Sequence, residues 1–94
     1  MKIIKIKKNE YKIYEENYMY IIEKLGKEDY SIYSTNDEEG YLKQMEAGKG
    51  IDIGCSTRGG KEIFEDYPEI KRGIKVILEN FKSNDSKKKT RKTV

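Results

Sequence analysis

Isoleucine and tyrosine dominate the apolar content of this chain, and they restrict its architecture more than any motif does. Of the 20 Leu, Ile, Val and Phe residues 13 are Ile, and eight further positions are Tyr, while Ala occurs once. β-Branched and aromatic side chains fit a pleated, half-buried surface and lose rotamer freedom in a helix, so most of the available burial favours sheet. With 94 residues the chain is one domain at most, and its core must be used sparingly. A net charge of +3 is too small to drive expansion, so a folded domain of modest stability is expected.

Charge falls in blocks. Residues 1–14 sum to +4, 15–66 to −7, 67–82 to +2 and 83–94 to +4. The basicity is therefore terminal. The last block, SNDSKKKTRKTV, has no apolar residue before Val94 and reads as a disordered basic tail behind a domain at 1–82.

Within the domain, KIIKIK suits a strand at 2–7. The segment NEYKIYEENYMYIIEKLG supports two periodicities: Tyr11, Tyr14, Tyr18, Ile21, Ile22 and Leu25 fall at helical spacing, whereas Tyr11 and Ile13 alternate with polar neighbours as in a strand. The expectation is a hairpin partner at 11–14, then a helix from Tyr18 to Leu25 capped by Asn17 and stopped by Gly26. DYSIYS at 29–34 reads as a strand. TNDEEGYLKQMEAGKG has a Thr or Asn cap and three acids where they oppose the helix dipole, with Tyr41, Leu42 and Met45 as its buried stripe and Gly48 and Gly50 as its end. IDIGC at 51–55 is the third clear strand. A final helix follows Asp66-Tyr67-Pro68-Glu69, with Ile70, Ile74, Ile77, Leu78 and Phe81 on one face and Gly73 marking close packing on a strand. The order predicts an α+β (or small α/β) domain: a three- to four-stranded mixed sheet packed by two to three helices.

The absences exclude several chemistries. Without His and with a single Cys, the chain cannot build a Ser-His-Asp triad, a Cys-His pair, a His/Cys zinc site or an intramolecular disulfide. No cofactor is expected, the start lacks a signal-peptide apolar region, and no apolar run approaches a membrane span, so a cytoplasmic protein with no membrane partner is expected.

One stretch, GIDIGCSTRGGKEIF, looks like a chemical loop. A P-loop would need Gly at 55 and Ser or Thr at 62, which are Cys and Glu. A cysteine-dependent phosphatase would need Arg where Lys61 stands, and Lys cannot form the bidentate fork, so this reading is remote. The stretch is otherwise a turn in which Gly54 or Gly59-Gly60 supplies positive φ, Ser56 or Thr57 caps a short helix through Phe64, and Cys55 packs as a small apolar side chain. An intermediate reading has Ser56, Thr57, Arg58, Gly59, Gly60 and Lys61 binding an anion or phosphate without catalysis. The Glu-x-Lys triplets at 10–12 and 69–71 lack the upstream acid and strand of a nuclease site. Asp52 reads as a solvated acid, and Asp37-Glu38-Glu39 as dipole partners rather than metal ligands.

A small non-enzymatic interaction protein is therefore expected, binding a larger protein or ribonucleoprotein partner through an exposed tyrosine patch, with Tyr30, Tyr33 and Tyr41 as candidates. Size and Lys- and Ile-rich usage suit a phage or mobile-element accessory acting as inhibitor or adaptor of a nucleic-acid-handling complex. The alternative is an RNA- or DNA-binding module using the basic termini, with Lys87, Lys88, Lys89, Arg91 and Lys92 on phosphates, together with the Gly-rich loop. A homodimer through a sheet edge is also open.

Overall fold

In a computed structural model of the protein, the backbone is described for residues 1–93 and the side chains for residues 1–83. Five strands form one antiparallel sheet in the order of the chain: β1 (Lys2–Lys7), β2 (Glu10–Glu15), β3 (Tyr18–Gly26), β4 (Asp29–Thr35) and β5 (Cys55–Gly59). Helix α1 (Glu38–Ala47) lies between β4 and β5. Two 3₁₀ turns, Lys61–Asp66 and Pro68–Ile70, lead into helix α2 (Lys71–Thr93). The α+β class is as expected, but the sheet has five strands rather than three or four, and none is parallel. Beyond Ser83, the expected tail at 83–94 lies outside the described side chains.

The strands at 2–7 and 29–34 and the hairpin partner at 11–14 are where the sequence placed them. The helix expected from Tyr18 to Leu25 is instead β3, and neither Asn17 nor Gly26 caps a helix. The physical reason is its position as the middle strand, where both faces are covered. Tyr20 and Ile22 point to one face and Met19 and Ile21 to the other, and all four are buried. Burial on both sides erases the alternation that marks a strand. The turns gave no warning either: the register pairs Glu15 with Tyr18 and Gly26 with Asp29, so two-residue turns close β2–β3 and β3–β4 without an Asn-Gly or Gly-Gly pair. Glu16 takes up the left-handed conformation itself, with φ 53°.

One face of the sheet carries the main core. Tyr11, Ile13, Tyr20, Ile22, Tyr30 and Ile32 meet Ile74, Ile77 and Phe81 from α2, with Ile63 and Phe64 filling in from the first 3₁₀ turn and Ile70 from the second. The aromatic rings interlock edge-on: Tyr11 meets Phe81 at 5.5 Å, and Tyr30 meets Phe64 at the same distance. The predicted stripe of α2 thus forms, with Leu78 at its margin, and Gly73 packs closely against Ile13 of the sheet.

The other face is covered more thinly. Asp37, rather than Thr35 or Asn36, caps α1 by accepting from the Gly40 amide at 3.0 Å, while Thr35 Oγ1 accepts from the Asp37 amide. Gly48 ends the helix in the left-handed conformation. Tyr41 stacks on Tyr33 at 5.1 Å, but Leu42 and Met45 are exposed, so the buried stripe expected for α1 does not form and no residue of this helix is buried.

Candidate interaction surface

The Gly-rich stretch is where the sequence misleads most. Residues 51–54 are irregular, and the strand begins only at Cys55, so the segment 56–59 is β5, paired with β4 from Ser34↔Cys55 to Tyr30↔Gly59. Gly54 supplies the turn: its φ is 79°, and a Cβ there would strike the Ser34 carbonyl oxygen and lie 2.7 Å from the Tyr33 hydroxyl. Gly59 and Gly60 have no positive φ, and the short helix through Phe64 starts after Gly60 rather than at Ser56 or Thr57. Cys55 is exposed rather than packed.

Of the six residues considered for anion binding, Ser56, Thr57, Arg58 and Gly59 are consequently strung along an edge strand, while Gly60 and Lys61 lead into the 3₁₀ turn. Arg58 is held by Asp29, with Nη2 at 2.7 Å from Oδ2 and Nε at 3.2 Å from Oδ1. That hydrogen-bonded pairing lowers the Asp29 pKa and raises that of Arg58. The Gly60 amide donates to Glu62 at 3.1 Å, so a carboxylate of the chain itself occupies the place an anion would take. Lys87, Lys88, Lys89, Arg91 and Lys92 lie outside the described side chains.

The three tyrosines chosen for an exposed patch separate. Tyr30 is 4 % exposed and belongs to the core between Phe64 and Phe81, because its place on β4 turns it toward α2. Tyr33 of β4 and Tyr41 of α1 meet between the sheet and the helix. The Tyr33 hydroxyl donates to the Ile53 carbonyl at 2.9 Å, fixing the loop after α1. Burial, with Glu10 and Tyr33 nearby, raises the Tyr41 pKa. Glu38 adds a third tie, accepting from the Tyr14 hydroxyl and lying 3.5 Å from Lys12 Nζ. The bond to Glu38, with partial burial and the carboxylate charge, pushes the Tyr14 pKa up to about 12. Gln44 and Asp52 clasp one another: the Asp52 amide donates to Gln44 Oε1 at 3.0 Å, and the Gln44 amide donates to the Asp52 carboxylate. Asp52 is thus solvent-exposed, as expected, but it braces a loop rather than standing on a strand.

These polar ties anchor α1 without burying its apolar side chains. Leu42 and Met45, three residues apart on one flank, stay 49 % and 56 % exposed, and Ile51 beyond the helix end is 38 % exposed. The sequence carried this signal only in part, since the stripe was legible but its lack of a cover was not.

A second feature was missed altogether. Past the start of α2, the core face of the sheet continues as a cleft of about 520 Å³. Its floor holds Tyr18 and Tyr20, stacked with centroids 6.0 Å apart, and Tyr67 stands edge-on to Tyr20 at 5.9 Å. Glu69 closes one side and accepts from the Tyr20 hydroxyl at 2.9 Å; Glu15 and Glu16 from the β2–β3 turn close another. Burial first, and then the bond to Glu69, raise the Tyr20 pKa. Glu15 Oε2 is buried and accepts no hydrogen bond, its nearest cation being the Met1 ammonium at 3.6 Å. These residues come from three separate segments, so no local spacing announces them.

Comparison of the chain with protein-family profiles, with curated proteins and with solved structures found no match. Among the described residues, no helix is long and apolar enough to cross a membrane.

Proposed function

We propose that this protein is a non-catalytic interaction module that binds a larger protein partner through the face built by α1 and the loop after it. The observation that carries this reading is a helix anchored by polar ties and the Tyr33–Tyr41 stack while Leu42 and Met45 remain uncovered. A helix with no buried residue adds little to the core, and its apolar flank becomes useful once another surface covers it. The non-catalytic part of the reading is supported by the lack of His and by the setting of Cys55, an exposed thiol on an edge strand whose nearby Arg58 is engaged by Asp29.

The finer form of the proposal is an inhibitor or adaptor of a nucleic-acid-handling complex, as an accessory of a phage or mobile element. It is supported by residues 15–66, which sum to −7 and suit the basic surfaces such complexes present.

The test is comparative capture from the native host. Wild type and a Leu42→Glu/Met45→Glu variant with matched thermal unfolding are used as baits. A co-purifying protein held by wild type and lost from the variant supports the proposal; one held equally by both overturns the assignment to this face.

A further inference from the structure

The cleft between the β2–β3 turn and the 3₁₀ segment has a chemistry that the α1 face lacks. Its aromatic rings line an open cavity, and its carboxylates come from two separate segments, the β2–β3 turn region and the second 3₁₀ turn. None of the residues lining it carries a positive charge, and of its three glutamates Glu15 already has the Met1 ammonium 3.6 Å away, which leaves Glu16 and Glu69 for a guest. Tyr18 is 46 % exposed, so its outer ring face is available while its inner face stacks on Tyr20. Among the described residues, no group of three or more acids and thiols is placed to hold a metal ion, so the three glutamates do not converge on a single point. They suit an extended cation instead.

We propose that this cleft receives an arginine side chain of the protein partner, its guanidinium lying against the Tyr18 ring with its edges directed to Glu69 and to Glu16 of the β2–β3 turn. A guanidinium is planar, stacks on aromatic faces and carries five donors in a rigid fork, so it can address carboxylates on two sides at once. An ammonium is a more strongly hydrated point charge and satisfies one side at a time. The size agrees, because the cleft falls within the roughly 300–1,000 Å³ of ordinary ligand sites. The receptor is also built in advance. The Tyr20 hydroxyl holds Glu69 Oε2, which fixes the carboxylate and leaves its second oxygen for the guest. Arginine is enriched among the residues that dominate protein interfaces, and a tyrosine-walled acidic cleft is the complement it requires.

This inference rests on the reading of the protein as a partner-binding module, but its test is independent of the partner and of α1. The full chain is titrated with two blocked tripeptides, acetyl-Gly-Arg-Gly-amide and acetyl-Gly-Lys-Gly-amide, while ring and backbone NMR signals are followed at low and moderate salt. Saturable shifts at Tyr18, Tyr20 and Tyr67 with the arginine peptide, and clearly weaker ones with the lysine peptide, are expected. Glu69→Gln keeps an acceptor for Tyr20 and removes the charge, and it is expected to weaken arginine binding roughly tenfold, as does the turn variant Glu16→Gln to a smaller extent. Shifts scattered over all acidic surfaces, equal response to both peptides, or affinity unchanged in both variants would overturn the proposal. Any of those results would leave the Leu42/Met45 capture experiment standing, and loss of that experiment's outcome would leave the peptide titration standing.

Discussion

Gly73 of α2 lies so close to Ile13 of β2 that a Cβ on the glycine would sit 2.8 Å from Ile13 Cδ1, with the Met1 sulfur at the same distance. Ile13 is fully buried, so the missing side chain sets how near the helix can come to the sheet. Two opposing effects meet here: Ala is worth about 1 kcal/mol over Gly inside a helix, whereas overpacking a core costs about 1–3 kcal/mol. Gly73→Ala is expected to be neutral to destabilising in wild type. In an Ile13→Val background, which lacks the Cδ1 methyl and leaves only the movable Met1 side chain in the way, the same change is expected to be clearly less costly. Urea unfolding of the four proteins in this cycle checks it, and equal effects in both backgrounds would show that the two residues are not in contact.

The Tyr14–Glu38 bond gives a signature in alkaline solution. The folded-state pKa of Tyr14 is about 12, above the value near 10 of an unfolded tyrosine. The stability associated with this raised pKa is complete below pH 10 and is lost as pH rises from 10 toward 12. Tyr20, raised mainly by burial, acts in the same direction. Tyr14→Phe is expected to lower stability by about 1 kcal/mol at neutral pH and to flatten part of the decline above pH 10. Denaturant midpoints at a series of pH values measure both.

Leu42 and Ile77 separate surface from core. Leu42→Ala and Met45→Ala, at exposed positions, are expected to shift unfolding by no more than about 0.5 kcal/mol while weakening partner capture. Ile77→Ala, at a position with no exposure, is expected to cost about 2–5 kcal/mol. Thermal and denaturant melts of the three variants give the comparison. A large loss of stability in the α1 variants would mean that the helix flank serves the fold.

Nucleic-acid binding, the other function class expected from the sequence, is tested by salt. The pairing of Arg58 with Asp29 leaves little free positive charge on β5, so Arg58→Gln is expected to leave affinity for a single-stranded oligonucleotide unchanged. Any binding by the full chain is expected to fall steeply between two salt concentrations and to vanish in a 1–82 truncation. Fluorescence anisotropy is the measurement. Strong binding by the truncation would favour a nucleic-acid module.

How much of this was legible depends on where each signal lay. The α2 face and the strand β4 were readable because one side of each meets the core, β1 because its run is β-branched although only Ile3 packs on that core, and Gly73 because a helix interior tolerates Gly only for cause. β3 was not, since burial of Met19, Tyr20, Ile21 and Ile22 on both faces removes periodicity. β5 was hidden by composition: Cys-Ser-Thr-Arg-Gly has the letters of a loop, and its partner β4 supplies the apolar side chains for both. The tyrosine–glutamate cleft joins residues up to 54 positions apart, from Glu15 to Glu69.

The order β1-β2-β3-β4-β5 has a kinetic consequence. Every strand lies beside its sequence neighbour, and the first three connections are tight turns, so residues 2–35 can zip together hairpin by hairpin while closing only short loops. Only the β4–β5 pairing must wait for the intervening helix, and only α2 must find its seat from afar. The protein is thus an all-antiparallel sheet whose assembly should be rapid, with the docking of its last helix as the step that locks the chain into place.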